Sequence, residues 1–208
     1  MIAIDEIFKR APVLPVLAIS NLAHAVPLAS ALVEAGLPVL EVTLRTPIAL
    51  KAIEAIARHV PGAIVGAGTV LRAQDLSALH SAGAVFAISP GATRLLYEGT
   101  SGGPIPWIPA ISSASEIMLG LEYGHQRFKF FPAAASGGIP ALKSFYGPFA
   151  DVRFCPTGGI DALNAAAYLA LPNVLTVGGS WMVPPEALTN ADWVTIGTLA
   201  RAARALNP

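Results

Sequence analysis

A closed ring of eight strands alternating with eight helices, the (β/α)8 or TIM barrel of the α/β class, is the fold this sequence predicts, and three observations predict it. First, one unit recurs along the 208 residues: an Ala-rich helical pattern, a Gly or Pro break, then a short apolar run. The breaks fall at Gly36, Pro61-Gly62, Gly83, Gly102-Gly103, Gly124, Gly147 and Pro172-Asn173, about 20 to 26 residues apart, which is the size of one βα unit. Second, the repeat gives eight apolar runs and eight helical patterns in strict alternation, the signature of a parallel sheet wrapped by helices. Third, Pro90, Pro109, Pro132 and Pro156 stand at or near the far ends of apolar runs. Proline cannot donate to a strand ladder, so it suits the place where pairing stops. A doubly wound open sheet is the alternative. The count of eight and the short length favour the closed ring, and no linker or composition shift divides residues 1–208 into more than one domain.

In order, the strands are expected at Val13–Ser20, Val39–Arg45, Ile64–Val70, Val85–Pro90, Ile105–Ser112, Arg127–Pro132, Val152–Thr157 and Val174–Ser180. Helices fill the gaps at about 22–35, 47–59, 73–82, 92–99, 113–123, 138–146, 161–170 and 185–206. Glycine just past a helical pattern is the usual helix terminator.

Composition narrows the function. Hydrophobic residues make up 54% of the chain and charged residues 12%, with a mean hydropathy of +0.60. No uninterrupted apolar run reaches the roughly 18 residues a spanning helix needs, so the apolar excess reads as surface buried within the fold or between subunits. Net charge is zero and no Lys/Arg cluster marks a nucleic-acid footprint. Cys155 is the only cysteine, so no intrachain disulfide forms. Met1 to Arg10 carries four charges and no apolar signal core, which makes the chain read as cytoplasmic.

Chemistry concentrates at Phe128-Lys129-Phe130-Phe131-Pro132, where one of the four lysines sits among aromatic rings. An ammonium in an apolar setting loses hydration, so its neutral form gains weight, and a neutral amine attacks carbonyl carbon. The bland reading is a lysine whose stem packs while its head snorkels to water. Strand parity argues against it. In Val39–Arg45 the odd positions carry Glu41, Thr43 and Arg45, while the even positions are apolar; in Arg127–Pro132 the odd positions are Arg127, Lys129 and Phe131. Period 2 then aims Lys129, Glu41 and Arg45 at one interior. Buried charges cost several kcal/mol each unless paired, so a site explains three of them better than packing does.

Gly158-Gly159 follows the seventh strand and Gly178-Gly179-Ser180 ends the eighth. Loops after these strands are the usual phosphate site of this fold, because glycine lets backbone amides approach an oxyanion. Either pair alone reads as turn glycine; both at the expected strands point to phosphate. Gly66-Ala67-Gly68-Thr69 resembles a dinucleotide fingerprint only faintly, lacking the third glycine. It reads instead as room inside the barrel, with Thr69 offering a hydroxyl to a carboxylate. His24, His59, His80 and His125 lack metal-ligand spacing and read as surface or structural. Cys155 reads as a small buried side chain, and Trp107, Trp181 and Trp193 as filling core or subunit contacts.

Gly36–Arg45 (GLPVLEVTLR) resembles the glutamate motif of the 2-keto-3-deoxy-6-phosphogluconate (KDPG) aldolases, and Gly124–Ala133 (GHQRFKFFPA), continuing to Gly137, resembles their Schiff-base motif. Ile64–Val70, Phe86–Gly91, Arg153–Ile160 and Gly178–Trp181 are also similar, so the resemblance runs from about Ile7 to Leu206. It implies a class I aldolase on a (β/α)8 barrel, a homotrimer, acting on small molecules without metal or other cofactor. It implies that Lys129 forms the Schiff base, that Glu41 is the general acid/base, and that Arg45 and Thr69 hold the pyruvate carboxylate. Thr157, Gly158, Gly159, Gly179 and Ser180 would line the distal hydroxyl and phosphate end, with Pro90 and Phe131 shaping the pocket wall. The family pattern differs at two places, with Glu where Ala134 stands and Asn where Ser136 stands. The N-terminus is also a few residues short, so the helix capping the barrel bottom is expected to be abbreviated. Two other readings stand beside KDPG cleavage: the same chemistry on 4-hydroxy-2-oxoglutarate or the galactonate epimer, and a non-catalytic barrel that binds a phosphorylated metabolite.

Overall fold

The computed structural model describes residues 2–206; Met1, Asn207 and Pro208 lie outside them. The elements in order are α1 (Ile4–Lys9), β1 (Val13–Leu17), a 3-10 turn (Leu22–His24), α2 (Ala25–Glu34), β2 (Val39–Thr43), α3 (Ala49–His59), β3 (Ile64–Gly68), α4 (Asp75–Ser81), β4 (Ala87–Ile88) and α5 (Arg94–Thr100). The second half follows with β5 (Trp107–Ile108), β6 (Ala110–Ile111), α6 (Ala114–Glu122), β7 (Arg127–Phe130), α7 (Gly138–Tyr146), β8 (Arg153–Pro156), α8 (Ala165–Leu169), β9 (Val177–Gly179), α9 (Pro185–Thr189) and α10 (Trp193–Arg204).

Each expected strand contains an observed one, but the observed strands stop earlier. The fifth is split into β5 and β6 at Pro109, which lacks an N–H yet still accepts from the Lys129 amide at 3.0 Å. One helix expectation is corrected. The single helix expected over 185–206 is two, because Ala191 takes φ 53° and Asp192 starts a new helix by accepting from the Thr195 amide at 3.0 Å. The N-terminal helix, expected to be abbreviated, is six residues long.

Every strand pairing is parallel. One arc runs β5-β4-β3-β2-β1-β9 and a second runs β6-β7-β8. Isolated parallel bridges, Phe154 to Val174 and Thr157 to Gly178, join the β8 segment to the chain entering β9. From β1 to β5 the spatial order follows the chain, without the reversal that defines a doubly wound sheet.

Two apolar layers result. The larger packs outward-facing strand residues such as Leu17, Val42, Val65 and Phe128 against Leu28, Leu32, Ile53, Ile56, Leu79 and Ile117 of the helices. The smaller joins Leu14, Val39, Phe86, Ile88, Ile108 and Cys155 of the inner face to Ile7 and Phe8 of α1. A six-residue helix is too short to be stable alone. Burying Ile7 and Phe8 supplies about 1.5–3 kcal/mol each as an upper estimate. Arg127 adds a clamp, donating through Nε and, at 3.1 Å, through Nη2 to the two carboxylate oxygens of Asp5. The α1 helix thus covers the N-terminal end of the strands, opposite the end where the candidate residues gather.

Candidate active site

Lys129 and Glu41 are 88 residues apart in sequence and meet on the inner face. Lys129 Nζ donates to Glu41 Oε1 at 2.8 Å and Oε2 at 3.1 Å. Their side chains are 7% and 2% exposed. Breaking such a pair strands a buried charge at about 3–5 kcal/mol, whereas apolar replacement of both members is often neutral. Stability alone therefore gives no reason to keep it. The Phe131 ring lies 5.4 Å from Nζ, a cation–π contact.

Small residues make the space. Lys129 is flanked in register by Ala110 on β6 and Cys155 on β8. A Cβ on Gly68 would lie 2.2 Å from Glu41 Oε1, and one on Gly66 would lie 2.4 Å from the Phe86 ring. Gly68 thus leaves room for the Glu41 side chain and Gly66 for the Phe86 ring, so the small residues make space inside the strands. Burial pushes the Cys155 thiol up to about 12, so beside the ion pair it stays protonated.

The distal residues form a second group. Thr157 is buried, with Oγ1 3.9 Å from Cys155 Sγ, and a Cβ on Gly178 would lie 2.2 Å from that hydroxyl. Gly158 and Gly159 both take positive φ (100° and 73°) and pack on the segment that follows Lys129. The Ala133 amide donates to Thr157 O at 2.8 Å and the Ala134 amide to Gly158 O at 3.0 Å. The Ala134 methyl fills the space beside Gly159, where a Cβ would come within 2.5 Å. Gly179 is buried against Trp181, and Ser180 is exposed at the mouth. Pro90 is half-buried just beyond β4.

One expectation is corrected here. Arg45 was expected to point into the interior beside Lys129; it is exposed instead. The β2 strand ends at Thr43, so the alternation of faces no longer governs two residues later. Arg45 shares a cavity of about 260 Å³ with Ser180, floored by Leu17, Leu28 and Val183. Thr69 is half-buried and lines a different cleft, with Leu44, Leu71 and Arg72. It takes φ 60°, a left-handed conformation that costs a β-branched residue about 1–3 kcal/mol. Sequence reasoning missed Thr43, which is buried and accepts from Arg45 Nε at 3.1 Å. Its parity with Glu41 within β2 was the available signal.

Of the remaining singled-out histidines, His59 and His80 are exposed and the other two pack against tryptophans. His125 stands edge-on to Trp107 at 5.4 Å, and burial lowers its pKa. His24 packs edge-on to Trp193 at 5.4 Å. Among the described residues no three His, Cys, Asp or Glu side chains are grouped to hold a metal ion, and no helix is long and apolar enough to cross a membrane.

The family described as KDPG and KHG aldolase matches residues 4–199. The chain belongs to the KDPG and KHG aldolase family. Relatives within this family include the KHG/KDPG aldolase of Escherichia coli K12, 56% identical over 96% of this chain and 93% of that protein. The 2-dehydro-3-deoxy-phosphogluconate aldolase of Pseudomonas aeruginosa is 46% identical over 96% and 91%. Among solved KDPG aldolases, the Legionella pneumophila enzyme, with pyruvate captured at low pH as a covalent carbinolamine intermediate, superposes with a TM-score of 0.94 at 50% identity, covering 97% of this chain and 98% of that one. The Zymomonas mobilis ZM4 enzyme with 3-phosphoglycerate gives 0.94 at 50% identity, covering 98% and 96%.

Proposed function

We propose that this protein is a class I aldolase that cleaves 2-dehydro-3-deoxy-6-phosphogluconate reversibly to pyruvate and glyceraldehyde 3-phosphate, with Lys129 as the Schiff-base residue. The observation that carries the reading is the buried Lys129–Glu41 pair, contributed by β7 and β2. The pyruvate carbinolamine of the Legionella relative supports it.

The geometry suits each step. Glu41, 2.8 Å away, takes a proton from the Lys129 ammonium, and the freed amine attacks C2 of the keto acid. Glu41 returns that proton to the carbinolamine hydroxyl, which leaves as water to give an iminium and a free Glu41 carboxylate. Glu41 then removes the C4 hydroxyl proton, the C3–C4 bond breaks, and its electrons flow into the iminium to leave an enamine. Glyceraldehyde 3-phosphate departs, C3 is reprotonated, and hydrolysis releases pyruvate and restores the amine. One carboxyl serves as base and acid because burial keeps bulk water from competing for its proton. Family resemblance assigns the keto-acid carboxylate to Arg45 and Thr69, which line separate clefts, so Arg45 is the ligand on the Ser180 side and Thr69 the one on the Leu44 side. Thr157, Gly158, Gly159, Gly179 and Ser180 receive the hydroxyl and phosphate end, and Pro90 and Phe131 form the wall.

The same site on 4-hydroxy-2-oxoglutarate is the second reading, favoured by the KHG/KDPG name of the Escherichia coli relative. The two strand arcs close into one (β/α)8 barrel, a reading supported by the chain running from β5 to β6 through Pro109 and by the bridges from β8 toward β9. That barrel is one domain spanning the chain. It works in the cytoplasm as a homotrimer; exposed Leu95, Met118 and Val194 on an apolar-rich chain support association. Borohydride reduction with pyruvate, followed by peptide mapping, tests the chemistry. A single pyruvyl adduct on Lys129 is expected; no adduct in the folded protein would move the reading to a non-catalytic barrel. Comparing kcat/KM on the phosphorylated and unphosphorylated acids separates the two substrates.

A further inference from the structure

Thr43 ends β2, 2% exposed, between Glu41 within the strand and Arg45 just beyond it. Its hydroxyl donates to the Leu17 carbonyl at the end of β1, at 2.9 Å. A hydroxyl has one proton, so with that proton committed only its lone pairs face the other way. They accept from Arg45 Nε at 3.1 Å. Thr46 makes a parallel tie, its Oγ1 donating to Ile19 O at 2.6 Å, so the backbone on both sides of Arg45 is fixed to the β1 end. Arg45 is otherwise an exposed, rotamer-rich side chain. Among the described residues it makes no ion pair, its one hydrogen bond is through Nε, and it lines the cavity shared with Ser180.

We propose that Thr43 is a positioning residue: its hydroxyl holds Arg45 by Nε so that the two terminal nitrogens stay open as a fork for the keto-acid carboxylate. This rests on the reading of Arg45 as the carboxylate ligand. A guanidinium bound through Nε alone keeps four N–H donors, enough for a bidentate oxyanion contact. The Thr43 hydroxyl bonds to Leu17 and Arg45 and not to the reacting lysine, so its effect passes through orientation. It belongs to KM for the keto acid more than to kcat.

The test is a double-variant cycle on the full chain, with steady-state kinetics on the phosphorylated keto acid. Thr43→Val, isosteric but without the acceptor, should raise KM about tenfold and lower kcat less than about threefold. Thr43→Ser, which keeps both bonds, should restore the wild-type KM. In an Arg45→Ala background, Thr43→Val should produce no further rise, because the group it positions is gone. An equal rise in both backgrounds would overturn the proposal and make Thr43 a strand tie only, as would an unchanged KM in folded Thr43→Val. Thr43→Ala, small enough to admit a water to the Leu17 carbonyl, carries the same expectations should the valine variant not fold. If Arg45→Ala leaves KM unchanged, the reading of Arg45 itself fails, an outcome visible before Thr43 is altered.

Discussion

Strand β7 carries two cations, Arg127 and Lys129, on one face and one pleat apart, and they behave as opposites. Arg127 sits at the N-terminal end, where it clamps Asp5 of α1; the two side chains are 24% and 37% exposed. Lys129, two residues on, pairs with Glu41 at 7% and 2% exposure. Water solvates the first pair whether or not it forms, so it serves as a modest staple. The second pair has no such alternative. A proton passed between its members turns a buried ion pair into a neutral amine and a carboxylic acid at no change in net charge, which is what nucleophile activation needs. Ion-pair geometry is similar at both places; burial assigns the roles.

Four substitutions sharpen that contrast. Lys129→Ala has the largest effect: no borohydride adduct with pyruvate and a turnover loss of at least about 10⁴-fold, read by intact mass and a coupled pyruvate assay. It also strands the Glu41 carboxylate, lowering stability by about 3–5 kcal/mol, and Lys129→Met with Glu41→Gln should recover most of that in denaturant titration. Glu41→Gln comes next. Turnover should fall about 10²–10⁴-fold while pyruvate trapping on Lys129 persists, and wild-type turnover would show that another group is the base. In Gly68→Ala, the new methyl drives into Glu41 Oε1. Loss of activity should accompany a stability loss of about 1–3 kcal/mol.

Asp5→Asn is the mildest. The hydrogen bond from Arg127 holds the Asp5 carboxyl below its ordinary 3.8, against a smaller opposing effect of burial. A carboxyl with a lowered folded pKa stabilises above the unfolded value and loses that contribution as pH falls through the folded one. The Asn variant should therefore be less stable at pH 7 by no more than about 1 kcal/mol, since the carboxylate is solvent-screened. The deficit should shrink as pH falls below 3.8 and through the lowered folded pKa of Asp5, and kcat should be unchanged throughout. A large activity loss in this variant would mean that the two ends of β7 are coupled.

Much of this architecture is written locally. The glycine and proline breaks mark where helices stop, and alternation along Val39–Thr43 and Arg127–Phe130 assigns faces wherever the chain is in a ladder. That is why Glu41 and Lys129 were legible as partners across 88 residues. Alternation failed at Arg45, beyond the end of β2, where the backbone turns and parity carries no information. It was equally silent about Ala191, whose positive φ divides the last helix although no glycine or proline marks the break.

By itself, the sequence determined the alternation of strands and helices, the family, and the identity of the reactive pair, because each rests on short-range pattern or on residue type. Tertiary structure alone decided how close Nζ comes to the carboxylate, which glycines clear its space, and that Thr43 rather than the interior holds Arg45. Those are distances between side chains on different strands, set by register and packing, and no stretch of chain encodes them locally.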